Sequence, residues 1–119
     1  MQPPALSALV VDDDPSIRWL VRINLELEGF AVSEAATLAE AEAAVARERP
    51  SVVLLDVHLG GDDSGLLLAD LRAAGIAVAV VTGSADIEDY QDTADGVLAK
   101  PFEPATLIEL ARRLASVGR

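Results

Sequence analysis

The sequence predicts an α/β domain in which helices cover both faces of a doubly wound parallel sheet of five strands. Strand-like apolar runs alternate with helix-like stretches five times along the 119 residues. The connections between them are short, which favours right-handed parallel crossovers. The first, third and fourth runs are continuous Val, Leu, Ile and Ala, the pattern of strands covered on both faces.

Residues 1–5 carry two prolines and no periodicity and read as a flexible lead-in, leaving 6–116 as a single domain. The first strand runs from Leu6 to Val11. Asp14 and Pro15 open the first helix: a capping carboxylate accepts from the free N–H groups, and proline suits the first helical position. Ile17, Leu20, Val21 and Leu25 then recur at helical spacing, and Gly29 ends the helix. The second strand spans Phe30 to Ala35, after which Thr37 and Glu40 form a capping box for the second helix. Pro50 closes that helix, because the residue before a proline disfavours helical backbone.

The third strand is Val52 to Asp56, and Leu67, Leu68 and Leu71 give the following helix its buried stripe up to Gly75. The fourth strand is Ile76 to Thr82. Between Ser84 and Ala94 only Ile87, Tyr90 and Ala94 stand among acids, so the fourth helix is expected to be short or frayed. Gly96 to Ala99 form the fifth strand, and Pro104 opens a last helix with Leu107, Leu110, Ala111 and Leu114 on one face.

Hydrophobic residues make up 51% of the chain and aromatic residues only 3%, so the core must be aliphatic. The sequence has no cysteine, which excludes disulfides and zinc–thiolate sites and suits a reducing cytoplasm. The longest apolar run, Ile76 to Val81, is far shorter than the ~20 residues of a membrane span, and the N-terminus lacks a signal-peptide layout. A net charge of −11 opposes direct contact with nucleic acid and with anionic membranes.

In an open parallel sheet, ligands bind beyond the carboxyl ends of the strands. Four of those ends are polar here: Asp12, Asp13 and Asp14 after the first strand, Asp56 after the third, Thr82 after the fourth and Lys100 after the fifth. If the acids converge, each close pair repels by on the order of 4 kcal/mol at an effective dielectric near 20. Lys100 supplies one compensating charge, and a hard cation with oxygen ligands supplies two more. Mg²⁺ suits such a site because it takes one or two carboxylates together with phosphate oxygens and water. Lys100 is also the only lysine, the other eight basic residues being arginine. A compact ammonium acts as a point charge on a phosphoryl oxygen, where the planar arginine fork would demand bidentate geometry.

Taken together, LVVDDDP at 9–15, VVLLDVHL at 52–59, VVTGSAD at 80–86 and VLAKPF at 97–102 resemble the receiver domains of two-component response regulators, from Leu6 to Leu114. The resemblance implies a flavodoxin-like fold with strand order 2-1-3-4-5. It makes Asp56 the phosphoacceptor, Asp12 and Asp13 the metal-binding acids beside it, Thr82 the hydroxyl on the phosphoryl group and Lys100 its cationic partner. It also implies that His58 lends its backbone carbonyl to Mg²⁺ and that the Lys100–Pro101 peptide is cis. The implied partners are a sensor histidine kinase or histidine phosphotransfer domain and an output protein that the sequence does not name. A phosphoacceptor that slowly dephosphorylates itself is not an enzyme in the ordinary sense.

Some positions depart from the family pattern. Val97 stands where an aromatic residue is usual, and Thr82 to Lys100 is about one helical turn, ~5 Å, shorter than usual. Gly60 and Gly61 replace a common Pro-Gly, with one residue more before Gly65, which predicts a looser loop. The side chain of His58 reads either as a border of the site that modulates hydrolysis or as plain surface. Trp19, Ile23 and Leu27 form a second apolar line on the first helix, read either as a docking face or as part of a wide core-facing arc. Two other functions are weighed against a phosphorelay receiver. One is a degenerate receiver binding proteins constitutively; the other is a haloacid dehalogenase-like phosphatase using Asp12 and Asp14, which needs a further acidic strand end after Lys100.

Overall fold

The computed structural model describes residues 6–59, 62–83 and 87–117. In chain order the elements are β1 (Ser7–Val11), α1 (Pro15–Leu27), β2 (Ala31–Ala35), α2 (Leu38–Arg47), β3 (Val52–Asp56), β4 (His58–Leu59), β5 (Asp62–Asp63), α3 (Gly65–Ala73), β6 (Ala77–Gly83), α4 (Ile87–Tyr90), β7 (Gly96–Lys100) and α5 (Pro104–Val117). The main sheet has five strands in the order β2-β1-β3-β6-β7, and every pair in it is parallel. This is the expected 2-1-3-4-5 order once the two short strands are set aside. Those two, β4 and β5, pair antiparallel just after Asp56, where the sequence predicts a loop. The expected looseness at Gly60 and Gly61 and the lead-in at 1–5 lie outside the described residues.

Strand side chains alternate between two apolar clusters, which explains the unbroken aliphatic runs. Ala8, Val10, Val52, Leu54, Ala79 and Val81 face α1 and α5 through Val21, Leu25, Leu107 and Ala111. Leu9, Val11, Val53, Leu55, Val78 and Val80 face the other way, onto Ala41, Ala44, Leu67, Leu68 and Leu71 of α2 and α3. The edge strands β2 and β7 bury far less.

Helix ends follow the local chemistry. Asp14 caps α1, its Oδ1 accepting from Ser16 N at 2.9 Å. Thr37 Oγ1 accepts from Glu40 N at 3.1 Å, whereas the Glu40 carboxylate takes the Ala36 N–H at 2.7 Å, one residue upstream of the cap itself. Gly29 (φ +96°) and Gly75 (φ +78°) turn α1 and α3 back into strands, with Phe30 N donating to Leu25 O and Ile76 N to Leu71 O. A left-handed backbone at both places is why each helix stops at a glycine.

Two expectations about helices are resolved. Among the described residues the fourth helix covers only Ile87–Tyr90, with Tyr90 packed against the α2/α3 cluster and Ala94 buried in it. On α1, Val21 and Leu25 are buried, but Trp19 is 62% and Leu27 is 77% exposed, so the second apolar line is not part of the core. Among the described residues, no helix is long and apolar enough to cross a membrane. After Lys100 the described residues form α5 alone, so the further strand that the phosphatase reading requires is not found among them.

Leu54 is fully buried between the sheet and the α1/α5 layer. Leu54→Ala is expected to destabilise the domain by roughly 2–5 kcal/mol, seen as a lower urea midpoint; a change below ~1 kcal/mol would contradict this packing.

Candidate functional site

The parallel register brings the polar strand ends to one edge. Val11 and Leu55 are partners in β1 and β3, so Asp12 and Asp56 stand side by side one step beyond them. Asp56 is opposite Val81, Thr82 opposite Ala99, and Gly83 opposite Lys100. Asp12, Asp56 and Thr82 are buried, while Asp13 is exposed at the mouth.

Asp12, Asp13 and Asp56 each place a carboxylate oxygen within 4.8 Å of the others. Lys100 Nζ lies 3.2 Å from Asp12 Oδ2 and 3.7 Å from Asp56 Oδ1. The acids and the lysine predicted from sequence therefore do meet. Asp12 is further fixed by the Asp14 N–H, which donates to its Oδ1 at 2.9 Å. Asp56 Oδ1 also accepts from His58 N at 3.2 Å. The main chain of His58 thus reaches the site through its N–H, and the residue is otherwise exposed. Thr82 is buried on β6 one position past the partner of Asp56.

Burial is the main force pushing the Asp12 carboxyl above its ordinary value, and the Asp56 charge adds to it. The Asp14 N–H and the Lys100 ammonium oppose that rise without cancelling it. Three carboxylates against one ammonium leave two negative charges when all are ionised. A hard divalent cation neutralises that surplus, and the clustered side chains offer it oxygen atoms only. The donor set fits Mg²⁺.

Val97 is half-buried on β7 opposite Val80. The Lys100–Pro101 peptide is cis. Sequence reasoning missed two residues here. Ser64 Oγ donates to the Asp56 main-chain carbonyl at 2.8 Å, and Arg18 Nη1 donates to the Asp12 main-chain carbonyl at 2.8 Å. A serine before a helix reads as a cap and an arginine on α1 reads as solvated surface, so neither carried a distinguishing signal.

Comparison with known proteins agrees with this geometry. The sequence model of the response regulator receiver domain matches residues 8–112. RpaA of Synechocystis sp. (strain ATCC 27184 / PCC 6803 / Kazusa), a DNA-binding dual master transcriptional regulator, is 33% identical over 89% of this chain and 47% of its own length. DctD of Rhizobium meliloti (strain 1021), a C4-dicarboxylate transport transcriptional regulatory protein, is 34% identical over 92% of this chain and 25% of its own length. The chain thus spans half or less of these curated relatives. Among solved structures, the receiver domain of NtrX from Brucella abortus superposes with a TM-score of 0.86 at 31% identity, covering 92% of this chain and 98% of that one.

A folded Asp12 carboxyl raised above 3.8 binds its proton more tightly than the unfolded chain does, so its ionisation costs stability as pH rises. In metal-free buffer, the stability of wild type relative to Asp12→Asn is expected to fall from pH 3.8 upward and to level off above the folded pKa. Urea titrations of both proteins across that range check it, and a difference that rises with pH contradicts burial as the dominant influence on Asp12.

Proposed function

The chain belongs to the response regulator receiver domain family, and on that footing we propose that it accepts a phosphoryl group on Asp56 and switches a protein–protein contact. The donor is a phosphohistidine on a sensor histidine kinase or histidine phosphotransfer domain. The observation that carries the reading is the single lysine Nζ set 3.2 Å from Asp12 and 3.7 Å from Asp56 inside a three-acid cluster.

In the transfer, a carboxylate oxygen of Asp56 attacks phosphorus. The new O–P bond forms as the donor's P–N bond breaks, its electron pair remaining on the imidazole nitrogen, and an acyl phosphate results. Oδ1 is engaged by the His58 N–H and faces Lys100, which leaves Oδ2 as the attacking atom. Lys100 offsets the charge gathering on the phosphoryl oxygens. The buried Thr82 hydroxyl serves as a donor to one of them. Asp12, Asp13 and Asp56, with the His58 carbonyl that the family resemblance implies, would hold Mg²⁺. When bound, that ion supplies the remaining positive charge for the transferring group.

The protein would act as a phosphoacceptor and not as a turnover enzyme, dephosphorylating itself slowly in the cytoplasm. RpaA is described as DNA-binding. A charge of −11 argues against a nucleic-acid contact made by this stretch of sequence. A second reading, a constitutive binding module, draws on the short stretch between Thr82 and Lys100 and on Val97, since both depart from the family pattern. Equal partner affinity with and without phosphorylation would favour it.

Incubation with Mg²⁺ and a small phosphodonor is expected to add one phosphoryl mass to the intact protein. The adduct should be absent in Asp56→Asn and after chelation of the metal. An adduct that persists in Asp56→Asn would remove Asp56 from its assigned role.

A further inference from the structure

We propose that Ser64 and Arg18 are positioning residues of the acidic site, each holding the main-chain carbonyl of one of its two buried aspartates. The inference rests on the phosphoacceptor reading and extends it to residues that touch neither metal nor phosphoryl group.

Ser64 is 1% exposed, and its Oγ donates to the Asp56 carbonyl at 2.8 Å. It stands at the N-cap of α3, where a serine side chain ordinarily accepts from the free N–H groups of the first turn. Here it makes no such bond, and its backbone (φ −83°, ψ 4°) is not in the extended conformation usual for a cap. The hydroxyl has been given to Asp56 at the expense of its own helix. A local rule broken beside a reactive carboxylate is the pattern of a residue retained for the site. With His58 N on Oδ1 and Ser64 Oγ on the carbonyl, Asp56 is gripped at its side chain and at its backbone.

Arg18 does the same for Asp12 from the first turns of α1. Its side chain is 19% exposed; Nη1 donates to the Asp12 carbonyl at 2.8 Å while Nε donates to Glu34 Oε1 at 3.0 Å. Glu34 is held in turn by Arg22 Nη1 at 2.9 Å. One planar fork bridges the end of β1 and the edge strand β2, a task a lysine ammonium cannot perform on both sides at fixed angles. Asp12 N donates to Ala35 O, so the backbone of Asp12 is fixed at N–H and carbonyl alike. These bonds fix the main chain on which each of the two repelling carboxylates is carried, one from α1 and one from the N-terminus of α3.

The test compares wild type with Ser64→Ala, Ser64→Thr, Arg18→Lys and Glu34→Gln. Mg²⁺ affinity is read by calorimetry, phosphorylation rate by intact mass, and folding by urea midpoint. Ser64→Ala and Arg18→Lys are expected to weaken Mg²⁺ binding about tenfold or more while remaining folded, as losses of outer-shell partners do. Ser64→Thr, which keeps the hydroxyl, should restore most of the affinity. Glu34→Gln, which touches neither aspartate, should show a smaller loss in the same direction. Midpoints that fall while Mg²⁺ affinity and rate per folded molecule stay at wild-type values would overturn the inference, leaving both residues merely structural. A wild type that binds Mg²⁺ but takes up no phosphoryl group would sink the phosphoacceptor reading, and the affinity ratios would still decide the roles of Ser64 and Arg18.

Discussion

Two buried aspartates at neighbouring strand ends repel each other, and the surrounding structure is arranged to keep them together. Asp12 and Asp56 follow the registered pair Val11 and Leu55, so the parallel pairing of β1 with β3 forces their proximity. Lys100 arrives from β7, two strands away from β3 in the sheet, and its Nζ contacts both carboxylates. Its one positive charge is insufficient for three acids, which makes a divalent cation or the proton on Asp12 the means of relieving the site. The same surplus of negative charge suits a hard divalent cation, which is the basis of the proposed Mg²⁺ and phosphoryl binding at this cluster.

The fold supplies the geometry cheaply. The apolar side chains of each central strand alternate between the α1/α5 and α2/α3 layers, so these strands are packed on both faces. Asp12 and Asp56 each follow directly on a buried strand residue, Val11 and Leu55, so the site is anchored on the core. By contrast, the far edge is lightly built. Among the described residues α4 covers only Ile87–Tyr90, and Arg72 of α3 reaches across to the Thr93 carbonyl at 2.5 Å and to Asp95 Oδ1 at 3.5 Å. Val97, half-buried on β7, belongs to this same edge.

Much of this was legible in the sequence because the responsible interactions are local or periodic. Unbroken aliphatic runs marked β1, β3 and β6; Asp14, Thr37, Gly29 and Gly75 marked helix ends; and acids at strand termini marked the site. The missing parts depend on contacts between residues far apart or on orientation. The bonds from Ser64 to Asp56 and from Arg18 to Asp12 become visible only when β3 meets α3 and β1 meets α1 in space. The choice between core and surface for Trp19 turned on a rotation of about one position around α1, finer than apolar spacing resolves. The small β4–β5 hairpin has only two residues per strand, too few for any periodicity to show.

On the proposed function, Asp12, Asp13 and Asp56 form one cation-binding centre. Titration of the labelled domain with Mn²⁺, a paramagnetic substitute for Mg²⁺, tests it most directly through line broadening of individual amides. The expected result is saturable broadening centred on Asp12, Asp13, Asp56 and His58, reversed by excess Mg²⁺. Broadening spread over the exposed acids of α4 and α5, or none that Mg²⁺ reverses, would contradict it.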